Sequence, residues 1–170
     1  MNIKLETLNL TRYDEEKHKF LKEELEKGES ASRFIHQIAQ RLDNSSYLGE
    51  NIFQSAFVVL DKDMPIGYVY ISSNKKDEVF LECSLLKNFR GMGYGKRLLN
   101  EVSNYLFENY NIRCIKGDVD PSNKNSQMML ESCGFELDEE DYEERNFIGN
   151  MVFFKESECY VSKRRNVKWK

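Results

Sequence analysis

The stretch LLKNFRGMGYGKRLLNEV, residues 85–102, carries three glycines at alternate positions between two runs of different period. Before it, residues 78–86 (EVFLECSLL) are mostly apolar and bounded by a turn signal, which predicts a strand. After it, Leu98, Leu99, Val102, Tyr105 and Leu106 recur at helical spacing and predict an amphipathic helix over residues 93–109. A turn from strand to helix leaves unpaired backbone N–H groups at the positive end of the helix dipole. Glycine lets that backbone take positive φ and come close to a ligand. Together these features describe an anion cradle, best suited to phosphate or pyrophosphate, with Arg90 and Lys96 flanking it. The plainer alternative is a flexible turn into a helix.

Two nucleotide fingerprints fail on spacing. G-x-G-x-x-G counted from Gly91 needs a third glycine at position 96, which is Lys96. The ATP-binding loop needs a glycine at position 90 and Ser or Thr at 97, where the chain has Arg90 and Arg97.

Upstream, residues 53–60 and 66–72 read as strands joined by the turn DKDMP, and SNKKD separates them from residues 78–86. Three strands on short turns make an antiparallel meander. Residues 1–10 read as a first strand. Two helices follow, one over residues 15–25 and one placing Phe34, Ile35, Ile38, Ala39 and Leu42 on a single face. Downstream, IRCIKGDVD (residues 112–120) is a strand. Ser122 or Asn123 then caps a short helix that Gly134 ends. Residues 135–142 and 151–154 read as a closing hairpin. The strand–helix–strand unit over residues 78–119 should be parallel. The fold class is mixed α/β.

The 170 residues suit a single domain, residues 1–170, with 157–170 as a basic tail. A net charge of −4 gives no support to a nucleic-acid platform. Cys83, Cys114, Cys133 and Cys159 form no C-x-x-C pair and no zinc spacing, so no metal is expected and the thiols read as reduced. No apolar run approaches the ~20 residues that span a bilayer. A cytoplasmic protein without a membrane partner is the expectation.

Residues 90–95 (RGMGYG) match R/Q-x-x-G-x-G/A, and residues 120–136 (DPSNKNSQMMLESCGFE) supply Asn123, Ser126 and Gly134-Phe135 in the order of a second segment. With these motifs the chain resembles the GNAT superfamily of N-acetyltransferases, and Ser126 with MMLESCGF is similar to the branch of ribosomal-protein N-terminal acetyltransferases. The resemblance implies a mostly antiparallel central sheet with one splayed parallel strand pair, flanked by helices. It also implies transfer of the acetyl group of acetyl-CoA, the co-substrate, to a primary amine. The backbone of Met92, Gly93, Tyr94, Gly95 and Lys96, together with Arg90 and Gly91, would hold the pyrophosphate. Leu85 and Leu86 would pair with the pantetheine arm, an N–H near Leu85 would stabilise the oxyanion, and Asn123 would bond the arm. Many relatives carry a tyrosine general acid seven residues after the asparagine, where this chain has Leu130.

Alternation puts Glu82 on the polar face of its strand, and the resemblance makes it the candidate base, with Glu78 a weaker one. Ser126 is the candidate acid. Cys133 reads as a core thiol, with an acyl-cysteine role as the sharper alternative. His18 and His36 fall in the N-terminal helices. Phe34, Tyr47, Tyr68 and Tyr70 suit an acceptor pocket or the core. The acidic run of residues 136–144 would attract a cationic amine, or is a solvated hairpin. A homodimer is a mild expectation from relatives. The rival reading is a non-catalytic acyl-CoA-binding or regulatory module.

Overall fold

The computed structural model describes residues 2–14, 16–26, 54–75, 77–144 and 150–157. The elements are β1 (Asn2–Lys4), β2 (Asn9–Arg12), α1 (Lys19–Glu26), β3 (Gln54–Asp61), β4 (Met64–Lys75) and β5 (Glu78–Leu85), then α2 (Tyr94–Asn109), β6 (Cys114–Val119), α3 (Lys124–Ser132), β7 (Glu136–Leu137), α4 (Glu139–Glu144) and β8 (Met151–Glu156). The strands form one sheet in the order β1-β2-β3-β4-β5-β6-β8-β7. Only β5 and β6 pair in parallel among the described strands, as the strand–helix–strand pattern requires. The expected helix around Phe34 to Leu42, with His36, Tyr47, Cys159 and the basic tail, lies outside the described residues. Among the described residues no helix is long and apolar enough to cross a membrane.

Two expectations need correction. The single first strand is a hairpin, β1 against β2, pairing Ile3 with Leu10. Its turn has no glycine or proline to announce it. Instead a distant carboxylate closes it: Glu101 of α2 accepts from the N–H groups of Thr7 and Leu8 at 3.0 Å, and from the Thr7 hydroxyl. The expected strand over residues 135–142 ends after Leu137 and gives way to α4. Asp138 starts that helix by accepting the Asp141 N–H at 3.1 Å, and its acidic first turn suits the helix dipole.

Side-chain alternation sorts the sheet into two faces. Phe57, Val59, Val69, Ile71, Val79 and Leu81 share a core with Leu98, Leu99, Val102 and Leu106 of α2 and Leu130 of α3. On the opposite face Ala56, Val58, Tyr68 and Tyr70 pack with Leu21 of α1. Tyr68 and Tyr70 are therefore core residues. Glu101 is buried among the apolar residues of the first face. Glu101→Ala removes the acceptor of a buried N–H and should cost about 2–3 kcal/mol. The check is the midpoint of urea unfolding, which should fall at unchanged slope. An unmoved midpoint would show that the hairpin closes without this carboxylate.

Candidate active site

Strand β5 ends at Leu85, one 3₁₀ turn follows (Lys87–Phe89), and α2 begins at Tyr94. Gly91 has φ 72° and Gly93 has φ 84°, the left-handed region that only glycine takes readily. Gly93 is the N-cap of α2 and offers no side-chain cap, so the first N–H groups of the helix are left for another acceptor. A Cβ on Gly91 or Gly93 would meet no protein atom within 4 Å, so the loop faces open space. Gly95 does a different job. A Cβ there would lie 2.7 Å from Met129 Sδ and 3.8 Å from Leu85 Cδ1, so its smallness lets α3 close onto the loop.

The side chains around the loop hold it in place. Arg90 donates from Nε to the Leu85 carbonyl at 3.0 Å, tying the loop to the end of the strand. Tyr94 turns its hydroxyl to Asp61 at the end of β3, and Arg97 lies 4.7 Å over the Tyr94 ring with a nitrogen 3.8 Å from Asp61. The neighbouring Asp61 carboxylate raises the Tyr94 pKa. The Tyr94 hydroxyl is therefore already engaged within the protein. Met92 and Lys96 are exposed.

Beside the loop the sheet opens. Strands β5 and β6 pair only from Glu78–Cys114 to Phe80–Lys116, and residues 81–85 of β5 have no register partner in β6. Leu86 gives its N–H to the Ile66 carbonyl at 2.9 Å and accepts from the Phe89 N–H at 2.9 Å, so its backbone is already in use. By strand alternation Leu85 then turns its N–H toward the gap, while its C=O accepts from Arg90 Nε. Of Leu85 and Leu86, both expected to meet the pantetheine arm, Leu86 has both backbone groups bonded within the protein. Gly67 of β4 approaches from the other side, where a Cβ would stand 2.2 Å from the Ser84 carbonyl oxygen. Nothing in the sequence marks that contact except the glycine itself.

Glu82 is exposed on the α1 side of the sheet, opposite Tyr70 in register. Next to it the buried Tyr68 stands opposite Ser84 in register. Burial, then the Glu82 charge, pushes the Tyr68 pKa well above its ordinary value, so Tyr68 stays a phenol. Helix α3 packs on the other face. Its N-cap is Asn123, whose Oδ1 accepts the Ser126 N–H at 3.1 Å, leaving the Nδ2 amide to donate. Ser126 is half-buried in the first turn. Glu82 and the helix carrying Ser126 thus lie on opposite faces of the sheet.

The remaining candidates have other work. Glu78, 2% exposed, is paired with Lys116 at 3.2 Å and Arg113 at 3.4 Å. Cys133 is buried in the core, and burial raises its pKa, which disfavours the thiolate. Burial likewise pushes the Cys83 thiol up to about 12. His18 lies at the start of α1, not at the loop. Among the described residues no group of His, Cys, Asp and Glu is arranged to hold a metal.

The family model described as Acetyltransferase (GNAT) family matches residues 13–135. A comparison with curated proteins finds no match. Solved structures share the fold. Spermidine N-acetyltransferase from Vibrio cholerae, in complex with CoA and spermine, is 16% identical with a TM-score of 0.64, covering 91% of this chain and 98% of that one. The N-acetyltransferase PseH of Campylobacter jejuni, in complex with acetyl coenzyme A, is 15% identical with a TM-score of 0.66, covering 88% and 99%. An acetyltransferase from Salmonella typhimurium that modifies the N-terminal serine of a 50S ribosomal subunit protein is 12% identical with a TM-score of 0.67, covering 93% and 100%.

Proposed function

The chain belongs to the acetyltransferase (GNAT) family, and from that premise we propose that it transfers the acetyl group of acetyl-CoA to a primary amine. The acceptor is a small molecule or a protein N-terminus, and transfer is direct, with both substrates bound. One observation carries this reading: the glycine loop, the unpaired edge of β5 and helix α3 meet at Gly95, Leu85 and Met129. Acetyl-CoA supplies the thioester. The open space before Gly91 and Gly93 fits a pyrophosphate, held by the N–H groups of residues 92–96 and by Arg90. The Leu85 N–H bonds the oxygen on which charge develops, and the Asn123 amide donates to the pantetheine arm.

Glu82 takes a proton from the cationic acceptor amine before the C–N bond forms, since an ammonium has no lone pair with which to attack. Ser126 delivers a proton to the sulfur as the C–S bond breaks. Support for Glu82 is its exposure on the strand that borders the gap. A base of this kind is worth about 10²–10⁴-fold in rate. Glu82→Gln should therefore lower kcat about a hundredfold near neutral pH. The loss should shrink at high pH, where the amine deprotonates unaided. A pH–rate profile identical to the parent's removes Glu82 from this role.

The acceptor is cationic at neutral pH, and the acidic residues 136–144, which form β7 and α4, supply a field that attracts it. The chain forms one domain over residues 1–170, cytoplasmic and homodimeric. That the described strands all join one sheet supports the first point, and sedimentation tests the last. A second reading has its own observation. Leu130, where many relatives have an acidic tyrosine, is buried in the core and donates nothing. On that reading the chain is an acyl-CoA-binding module without turnover.

A further inference from the structure

Three elements meet at the Tyr94 ring. Phe89, which ends the 3₁₀ turn, stands edge-on to it with ring centroids 5.9 Å apart. Arg97, one turn along α2, covers it with the guanidinium carbon 4.7 Å from the ring centroid. The hydroxyl donates to Oδ2 of Asp61, the last residue of β3. Asp61 is a fixed point. It pairs with Met64 across the turn to β4, and Val58 and Val59 of its own strand are fully buried.

Between Phe89 and Tyr94 lie only Arg90, Gly91, Met92 and Gly93. Gly91 and Gly93 have positive φ, and a Cβ on either would meet no protein atom within 4 Å. Side-chain packing does not hold these two positions, so the shape of the segment depends on how its ends are held. Arg90 ties the entry to the Leu85 carbonyl at 3.0 Å. Tyr94 ties the exit to β3. The unpaired N–H groups of α2 begin at that exit.

On the reading that the glycine loop holds pyrophosphate, we propose that Asp61 is a positioning residue for CoA, acting through the Tyr94 hydroxyl to aim the first N–H groups of α2. Charge alone gives the opposite sign. A carboxylate beside the loop repels pyrophosphate, so its removal should tighten CoA binding. Arg97, with a nitrogen 3.8 Å from Asp61, would also gain freedom to pair with a phosphate. Positioning predicts weaker binding instead, so the direction of the change separates the two.

CoA is titrated calorimetrically into the full chain and its variants, at a temperature where thermal melts show each one folded. The parent should bind saturably. Asp61→Ala should weaken binding about tenfold, and so should Tyr94→Phe, which removes only the hydroxyl. The double variant should bind no more weakly than either single one, because both changes remove the same bond. Asp61→Asn keeps an acceptor for the hydroxyl and should bind within about threefold of the parent. A parent chain that does not bind CoA overturns the pyrophosphate reading and the role of Asp61 with it. A parent that binds CoA, with Asp61→Ala unchanged or tighter, overturns the role of Asp61 alone. So do losses that add in the double variant.

Discussion

Gly93→Val should leave a folded protein whose affinity for CoA is about a hundredfold weaker, a loss of roughly 2.7 kcal/mol. Gly93 sits at φ 84°, where a side chain costs about 1–2 kcal/mol and a β-branched one more. The strain falls on the turn that aims the first N–H groups of α2. The added methyls would also project into the open space before the loop, since a Cβ there meets no protein atom within 4 Å. That same openness protects the fold, because no core contact is disturbed. Helix α2 still buries Leu98, Leu99, Val102 and Leu106. Calorimetric titration with CoA, beside a thermal melt, separates the two effects. A variant that melts normally and binds CoA like the parent would show that the loop holds something else.

Gly67→Ala should act on stability instead. An alanine Cβ would stand 2.2 Å from the Ser84 carbonyl oxygen and 3.0 Å from Leu85 Cα. Both are backbone atoms, so no rotamer change relieves the clash, and β4 and β5 must separate. Overpacking of this kind costs about 3 kcal/mol. For a chain of this size that lowers the melting temperature by about 6–12 °C. The strand displaced is the one that carries Glu82 and the gap-facing backbone of Leu85, so CoA binding should fall with stability. A melting temperature within a degree or so of the parent's would contradict the close approach of these strands. Gly95 offers a useful contrast. A Cβ there meets the flexible Met129 side chain, which can move, so Gly95→Ala should be milder.

Much of this arrangement is legible in the residues. The change of period across residues 85–102 placed a strand, a glycine turn and a helix, and each is present with its start or end within about two residues. The cap of α3 was legible as Ser122 or Asn123, since a short polar side chain before a helix has few other uses, and Asn123 fills it. What escaped depended on partners distant in sequence. The β1–β2 turn is closed by Glu101, ninety-odd residues away, and no local signal predicts it. The run EEDYEE reads as part of an acidic hairpin until Asp138 is seen to cap it as a helix. The three loop glycines look alike in sequence, yet two set backbone conformation and the third admits Met129. The bond from the Tyr94 hydroxyl to Asp61 likewise joins residues 33 apart, and no local pattern marks it.

The measurement that tests the central claim most directly is release of free CoA thiol from acetyl-CoA, with a panel of amines. Polyamines, aminoglycosides and peptides with free N-termini would be included, each product weighed by mass spectrometry. The account predicts thiol release that depends on one class of amine, matched mole for mole by acetylated product. Tight binding of acetyl-CoA with no amine-dependent release anywhere in the panel would contradict it and favour the non-catalytic module.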